Sequence, residues 1–198
     1  MEELINKAVS ILNSGGLVIF PTDTVFGIGC RIDRPDSVKR LFSARRRPEK
    51  KAVPVLVSAI EMAEKYFLSP LPNNVRHLMN VYWPGALTIV YNVRIDKVTP
   101  LVRGNGKTIG IRMPKKKLVL EIIRRCGVAL LGPSANFHRF PAPANIKDLD
   151  PELARLVDLV IPGESPVGQA STVVDCISSP WKIIRQGSVM INQNDLTY

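Results

Sequence analysis

The chain is poor in the side chains that most catalytic or cross-linked folds rely on. Its 198 residues include only 3 Cys, at Cys30, Cys126 and Cys176, far apart and each in apolar company. That spacing gives neither a disulfide framework nor a Cys-x-x-Cys metal knuckle, so the three read as small core residues in a reducing compartment. There are 2 His, His77 and His138, and neither stands in a Ser, Cys or metal-ligand pattern. His77 lies in an apolar helical stretch and reads as structural. No pair of carboxylates stands out for acid–base work, and no apolar run approaches the roughly 20 residues of a spanning helix. The acidic start, Met1-Glu2-Glu3, is unlike a secretory leader. These absences lead us to expect a cytoplasmic protein with no membrane segment and no protein-held metal. An enzyme built this way works by positioning reactants and neutralising charge.

Positive charge is what the chain has in excess. Its 27 Lys and Arg against 17 Asp and Glu leave a net charge of +10. Such an excess favours a polyanion, either the phosphates of a nucleotide or a nucleic acid backbone, and charge alone does not choose between them. A solvated basic surface gives the same balance. The apolar fraction of 45% supports a real core, and no linker divides the chain.

The pattern alternates helices and strands without a fixed repeat. Leu4, Ile5, Ala8, Val9, Ile11 and Leu12 recur at helical spacing up to Gly15-Gly16, and Leu17 to Phe20 then reads as a buried strand. A second helix is expected over 36–44 with Asp36 as its cap, and a strand over 53–57 in which Pro54 marks an edge or bulge. Ser58 and Glu61 form a capping-box pattern for a helix to about Phe67. Another helix starts at Asn73 or Asn74 and closes at Trp83-Pro84-Gly85. Strands follow over 86–91, 109–113, 128–131, 159–161, 172–176 and 182–184, with helices over 118–125 and from Pro151 to Val157. Several neighbouring strands lack a helix between them, so the expected fold class is α/β, a mixed sheet with helices on both faces.

The stretch Leu17–Gly29 carries the first candidate surface. Pro21 ends an apolar strand, and Thr22, Asp23 and Thr24 follow where open α/β sheets gather ligands, although turn chemistry accounts for Pro21 and Asp23 equally well. Gly27 and Gly29 in the next run, Val25 to Cys30, allow a backbone or ligand to come close. Arg45, Arg46, Arg47, Lys50 and Lys51 crowd the segment before a strand. A pair such as Arg45 and Arg47 suits a triphosphate, and a solvated basic loop is the alternative. Other strand ends share one habit: Arg112-Met113-Pro114, Gly132-Pro133-Ser134-Ala135-Asn136, Ser171-Thr172 and Arg185-Gln186-Gly187 all set polar groups beside an apolar strand. A shared cleft is the expectation. Gly104-Asn105-Gly106-Lys107-Thr108 imitates the end of a P-loop, but Leu101 stands where the pattern needs Gly and a strand follows instead of a helix.

Taken in order, Pro21-Thr22-Asp23-Thr24-Val25-Phe26-Gly27, Arg45-Arg46-Arg47-Pro48, Trp83-Pro84-Gly85-Ala86-Leu87-Thr88, Ile111-Arg112-Met113-Pro114, Pro133-Ser134-Ala135-Asn136, Ser171-Thr172-Val173-Val174-Asp175 and Arg185-Gln186-Gly187 resemble the YrdC/Sua5 family across nearly the whole chain. The resemblance implies a single YrdC/RibB-like domain over residues 1–198, without the C-terminal extension of longer relatives. It also implies a strongly twisted mixed sheet with a basic concave cleft. The implied reaction joins L-threonine, bicarbonate and ATP into threonylcarbamoyl-AMP and pyrophosphate, for N6-threonylcarbamoyladenosine at position 37 of tRNA. By the same resemblance, threonine is held by Thr24, Arg112, Gly132 and Ser171. ATP is held by Arg45, Arg47, Lys51, Thr108, Ser134, Asn136, Ala142 and Arg185, and Arg45, Arg47 and Arg112 are the catalytic cations.

Mg2+ is expected to accompany ATP, and tRNA or double-stranded RNA and the tRNA threonylcarbamoyl-transferase machinery are the implied partners. The chain departs from the family at Arg45, usually Lys, at Ala52, usually Pro, and at Phe137-His138-Arg139, where small residues are usual. The alternatives are a carbamoyl-adenylate-forming domain and an RNA-binding module that uses the basic face without chemistry.

Overall fold

The structure, a computed structural model, describes residues 1–196. Helix α1 (Glu2–Asn13) turns Ile5, Ala8 and Leu12 inward at helical spacing and leads into β1 (Val18–Pro21). A tight corner joins β1 to its antiparallel neighbour β2 (Phe26–Gly29), with Pro21 opposite Phe26. Gly27 and Gly29 accommodate the Phe20 ring, since a Cβ there would lie 3.1 and 2.6 Å from it. The expected close approach is made by the Phe20 ring and, at Gly29, by the Leu131 carbonyl, 3.0 Å from a Cβ there.

Helix α2 (Pro35–Ala44) starts with Pro35 in its first turn and Arg34 as the flanking residue. Pro35's fixed φ begins the helix one residue earlier than expected, so Asp36 lies inside the first turn and does not cap it. Strand β3 (Val55–Leu56) is shorter than expected. Helix α3 (Ile60–Glu64) has no side-chain cap, because the extended Ala59 separates it from Ser58, whose hydroxyl meets Met62 Sδ at 4.0 Å. The capping box therefore does not form and the helix stops short of Phe67.

Helix α4 (Asn73–Tyr82), β4 (Leu87–Asn92), β5 (Thr108–Arg112), α5 (Lys117–Cys126) and β6 (Leu130–Leu131) follow. Gly127 closes α5 in the left-handed conformation at φ 68°. Helix α6 (Pro151–Arg155) is capped by Asp150, which accepts from the Glu152 and Leu153 amides, and β7 (Leu159–Val160), β8 (Thr172–Asp175) and β9 (Lys182–Arg185) complete the order.

These strands form two sheets where one was expected: a three-stranded β2-β1-β7 and a six-stranded, mixed β6-β3-β5-β4-β8-β9. Strand β3 runs parallel to β5 and antiparallel to β6, so it is an interior strand and not an edge. Pro54 sits just outside the ladder, where its missing donor costs nothing, and its carbonyl accepts from the Gly132 amide at 2.9 Å. Isolated bridges pair Gly27 with Ser134 and Arg31 with Leu130, stitching the two sheets together along β2.

Helices α1 and α5 cover one side, packing Leu12, Val119, Ile122 and Ile123 against Val18, Phe20 and Leu130. Helices α2 and α4 bring Leu41, Phe42, Val75 and Leu78 to the larger core around Ile19, Ile28, Ile89 and Ile111. The sheets thus carry helices on both faces. Among the described residues no helix is long and apolar enough to cross a membrane.

Candidate active site

A cavity opens where the two sheets meet. Thr22, Thr24 and Gly27 reach it from the β1–β2 corner, and Thr88, Arg112, Gly132, Ser134, Ser171 and Arg185 from the strand ends of the larger sheet. Arg45 and Arg47 enter from the segment after α2. Pairing the sheets at the bridge between Gly27 and Ser134 brings together side chains that are far apart in sequence.

The floor is a chain of hydroxyls ending on a buried cation. Thr22 Oγ1 donates to the Val25 carbonyl at 2.7 Å, so in its 3.0 Å contact with Thr24 Oγ1 it accepts. Thr24 in turn accepts from Arg112 Nη1 at 2.7 Å. The other edges of the Arg112 fork go to the Gly85 carbonyl, at 2.9 Å from Nε, and to the Asp23 carboxylate. Across the floor, Ser171 Oγ lies 2.8 Å from Thr88 Oγ1 and accepts from Arg185 Nη2 at 3.2 Å, while the Ser171 carbonyl accepts from Arg185 Nε at 3.1 Å.

The upper wall is cationic and under-compensated. Arg45 is only 2% exposed, and it donates from Nε to the Asn136 carbonyl at 3.0 Å and from Nη2 to Asn136 Oδ1 at 3.2 Å. Its Nη1 is buried with no partner. Burial, and after it the charge of Arg47, pushes the Arg45 guanidinium down to about 9. Burial also lowers Arg47 and Arg185. It lowers Arg112 too, against the opposing pull of Asp23 and with help from the charge of Arg185. Four guanidinium groups thus line a cavity at which Asp23 is the neighbouring carboxylate. A buried cation without a counter-ion is a place for an anion.

Other expected residues lie elsewhere. Asn136 is absent from the cavity lining because its amide is committed inward: Nδ2 donates to the Phe137 and Phe140 carbonyls at 2.8 and 2.6 Å, and Oδ1 holds Arg45. It orients a cation and does not face the cavity itself. Lys51 is exposed, and its carbonyl accepts from Arg47 Nε at 2.9 Å. Thr108 shares the face of β5 with Arg112 but stands at the other end of the strand, about 13 Å away at ~3.3 Å per residue. Ala142 lies beside Pro143, whose carbonyl accepts from the Phe26 amide at 2.8 Å, outside the lining.

Arg46 turns away from the cavity to pair with Glu152 and cover the Phe137 ring at 4.1 Å. That stacking gives Phe137 a structural use. His138 is lowered by burial and then by the charges of Arg47, Arg139, Arg45 and Lys51, which puts the Phe137-His138-Arg139 departure beside the cationic wall.

The sequence places Thr22 on a candidate ligand surface but gives neither Thr22 nor Thr88 a ligand or partner. The signal was their position, one directly after a strand-ending Pro and one inside β4 facing the same cleft. No group of three or more His, Cys, Asp or Glu among the described residues could hold a metal ion. Asp23, the carboxylate nearest the cavity, is bonded to Arg112.

A cavity with unbalanced guanidinium groups above a floor of hydroxyls defines a class of protein that binds a polyanion next to a small polar molecule. The chain belongs to the Sua5/YciO/YrdC family, whose model, described as "Telomere recombination", matches residues 10–187. It is 33% identical over 193 residues to a threonylcarbamoyl-AMP synthase of Bacillus subtilis, covering 96% of this chain and 55% of that protein. It is 30% identical over 181 residues to the protein of that name from Stenotrophomonas maltophilia, covering 90% of this chain and 97% of the relative. The crystal structure of P. abyssi Sua5 complexed with L-threonine superposes with a TM-score of 0.87 at 29% identity, over 94% of this chain and 55% of that one. The chain thus spans about half the length of the Bacillus and Pyrococcus relatives.

Proposed function

We propose that this chain forms threonylcarbamoyl-AMP from L-threonine, bicarbonate and ATP, residues 1–198 serving as one YrdC-like domain. The observation that carries the reading is one cavity lined by the guanidinium groups of Arg45, Arg47, Arg112 and Arg185 together with the hydroxyls of Thr24, Thr88 and Ser171. Arg112 exchanges Asp23 for the carboxylate of threonine, with Thr24, Ser171 and Gly132 fixing the rest of the amino acid. Arg45, Arg47 and Arg185 grip the phosphates of ATP, Ser134 contacts the nucleotide directly, and Asn136 holds Arg45 in place. Lys51, Thr108 and Ala142 stand further out, reached only by the ends of an extended nucleotide.

The threonine amine and bicarbonate condense to a carbamate with loss of water. A carbamate oxygen then bonds to the α-phosphorus as the bond to the pyrophosphate oxygen breaks. No protein nucleophile is required, which agrees with the absence of a Ser or Cys triad. The cations answer the charge that builds on phosphorus and on the leaving pyrophosphate. Magnesium arrives on the nucleotide. The product serves N6-threonylcarbamoyladenosine formation at position 37 of tRNA in the cytoplasm, through the tRNA threonylcarbamoyl-transferase machinery, with tRNA approaching the basic rim. A bare RNA-binding module would leave the buried hydroxyl floor without a use.

The test is pyrophosphate release by the purified protein with ATP, Mg2+ and bicarbonate. Release is expected only when L-threonine is added, and Arg47→Ala and Ser134→Ala are expected to lower it. Threonine-independent release, or tight salt-sensitive RNA binding with no turnover, would refute the reading.

A further inference from the structure

The Gly104–Thr108 run that imitates a phosphate loop has a different position in the fold. Its amides are turned into a closed loop: Gly104 N donates to the Leu101 carbonyl at 3.2 Å, Asn105 N to Pro100 at 2.9 Å and Gly106 N to Arg103 at 2.9 Å. The Arg103 side chain seals the loop by donating to the Val98 and Gly106 carbonyls. None of these three amides is left to cradle a phosphate.

What the loop touches is the segment that carries Arg47. The Val53 amide donates to the Val102 carbonyl at 3.0 Å. A Cβ on Gly104 would lie 2.7 Å from both the Lys50 carbonyl oxygen and the Ala52 nitrogen, in backbone that cannot swing aside as a side chain does. Arg47 is tied to that same backbone: Nε donates to the Lys51 carbonyl at 2.9 Å and Nη2 to the Ala52 carbonyl. Nη1 of Arg47 has no acceptor among the described residues, and the side chain lines the cavity.

We propose that Gly104 is a positioning residue for Arg47: its bare α-carbon lets the 98–106 loop press on the Lys50–Ala52 backbone, whose carbonyls aim the guanidinium into the cavity. Any Cβ must drive that backbone back by about 0.7 Å to reach ordinary contact, and the two carbonyls move with it. The inference rests on the nucleotide reading of the cavity. Misplacing a phosphate-binding group on this scale costs about ten- to a hundredfold in affinity or rate.

The protein supplies its own control. Gly127 has φ 68°, close to the 57° of Gly104, but a Cβ there meets nothing within 4 Å and the residue is not part of the cavity lining. Gly104→Ala and Gly127→Ala therefore share the left-handed strain and differ in the clash. The experiment measures ATP and L-threonine binding by calorimetry, and both KM values from pyrophosphate release, for the two variants, for Arg47→Ala and for Arg47→Ala with Gly104→Ala.

Gly104→Ala is expected to weaken ATP at least tenfold with threonine affinity unchanged, Gly127→Ala to leave both unchanged, and Gly104→Ala to add nothing in the Arg47→Ala background. Gly104→Ala matching Gly127→Ala, losing threonine and ATP together, or adding its full effect without Arg47 would overturn the inference. Absence of threonine-dependent turnover in the unmodified protein would instead refute the proposed reaction, and the ATP-binding arm reads the role of Gly104 without it.

Discussion

Arg45→Met is the substitution in which stability and binding are expected to move in opposite directions. Burial, and after it the charge of Arg47, takes the Arg45 guanidinium far below its ordinary value, to about 9. At ~1.4 kcal/mol per unit this corresponds to about 5 kcal/mol of unfavourable charge burial in the ligand-free protein. Met fills a similar volume without charge, but the Asn136 carbonyl and Oδ1 then lose their Arg45 donors, at about 1–2 kcal/mol each. The difference favours the variant by roughly 2 kcal/mol. For a chain of 198 residues that raises the melting temperature by about 5 °C.

Nucleotide reverses the order. At a thousandfold excess over Kd, ATP stabilises the unmodified protein by about 4 kcal/mol, and a variant that cannot bind it gains nothing. Thermal melts with and without ATP and Mg2+ should therefore cross, the variant melting higher alone and lower with nucleotide. A variant that melts below the unmodified protein in the absence of nucleotide, or that ATP stabilises equally, would show that Arg45 is a structural cation and not an anion receptor.

Further consequences follow from other pairs. Thr88→Val keeps the shape of β4 but removes the 2.8 Å partner of Ser171 Oγ, and the threonine KM is expected to rise about fivefold, the equivalent of one neutral hydrogen bond, with the ATP KM unchanged. Glu121 is held at about 2 against a usual 4.5 by hydrogen bonds from Arg124 and Arg125, so its contribution is present above pH 4.5 and fades as the pH falls toward 2. Melts of Glu121→Gln from pH 7 to pH 2 should start below those of the unmodified protein and converge at the acid end.

The sequence was most legible where a short-range rule operates. The Ile5, Ala8 and Leu12 stripe set α1, and Gly127 set the end of α5, because spacing and left-handed φ are local properties. Less legible was anything decided by the partner. Val53 to Val57 reads as an edge strand because of Pro54, but β5 and β6 pair with only Val55 and Leu56 and leave Pro54 outside. The joining of the two sheets depends on the bridge from Gly27 to Ser134, which no local pattern announces.

At the site, motif residues showed which segments meet but not which atoms face inward. Asn136 and Ser134 are neighbours in one motif; the cavity receives Ser134, while Asn136 turns back to hold Arg45. Thr22 and Thr88 carry no charge and sit in ordinary strand chemistry, so only the hydrogen bonds that join them to Thr24 and Ser171 mark them.

The cavity lies on the seam between a small sheet and a large one, which main-chain hydrogen bonds between residues 26–32 and 129–135 join. A molecule seated there touches both halves and so acts as a removable rivet. Amides flanking the join, such as those of Ile28 and Ala135, which donate to Pro133 and Phe26 across it, should exchange with deuterium more slowly once the cavity is filled, while amides deep in α1 keep their pace. Occupancy of the cavity and cohesion of the two halves would then be one property, read in a single exchange experiment.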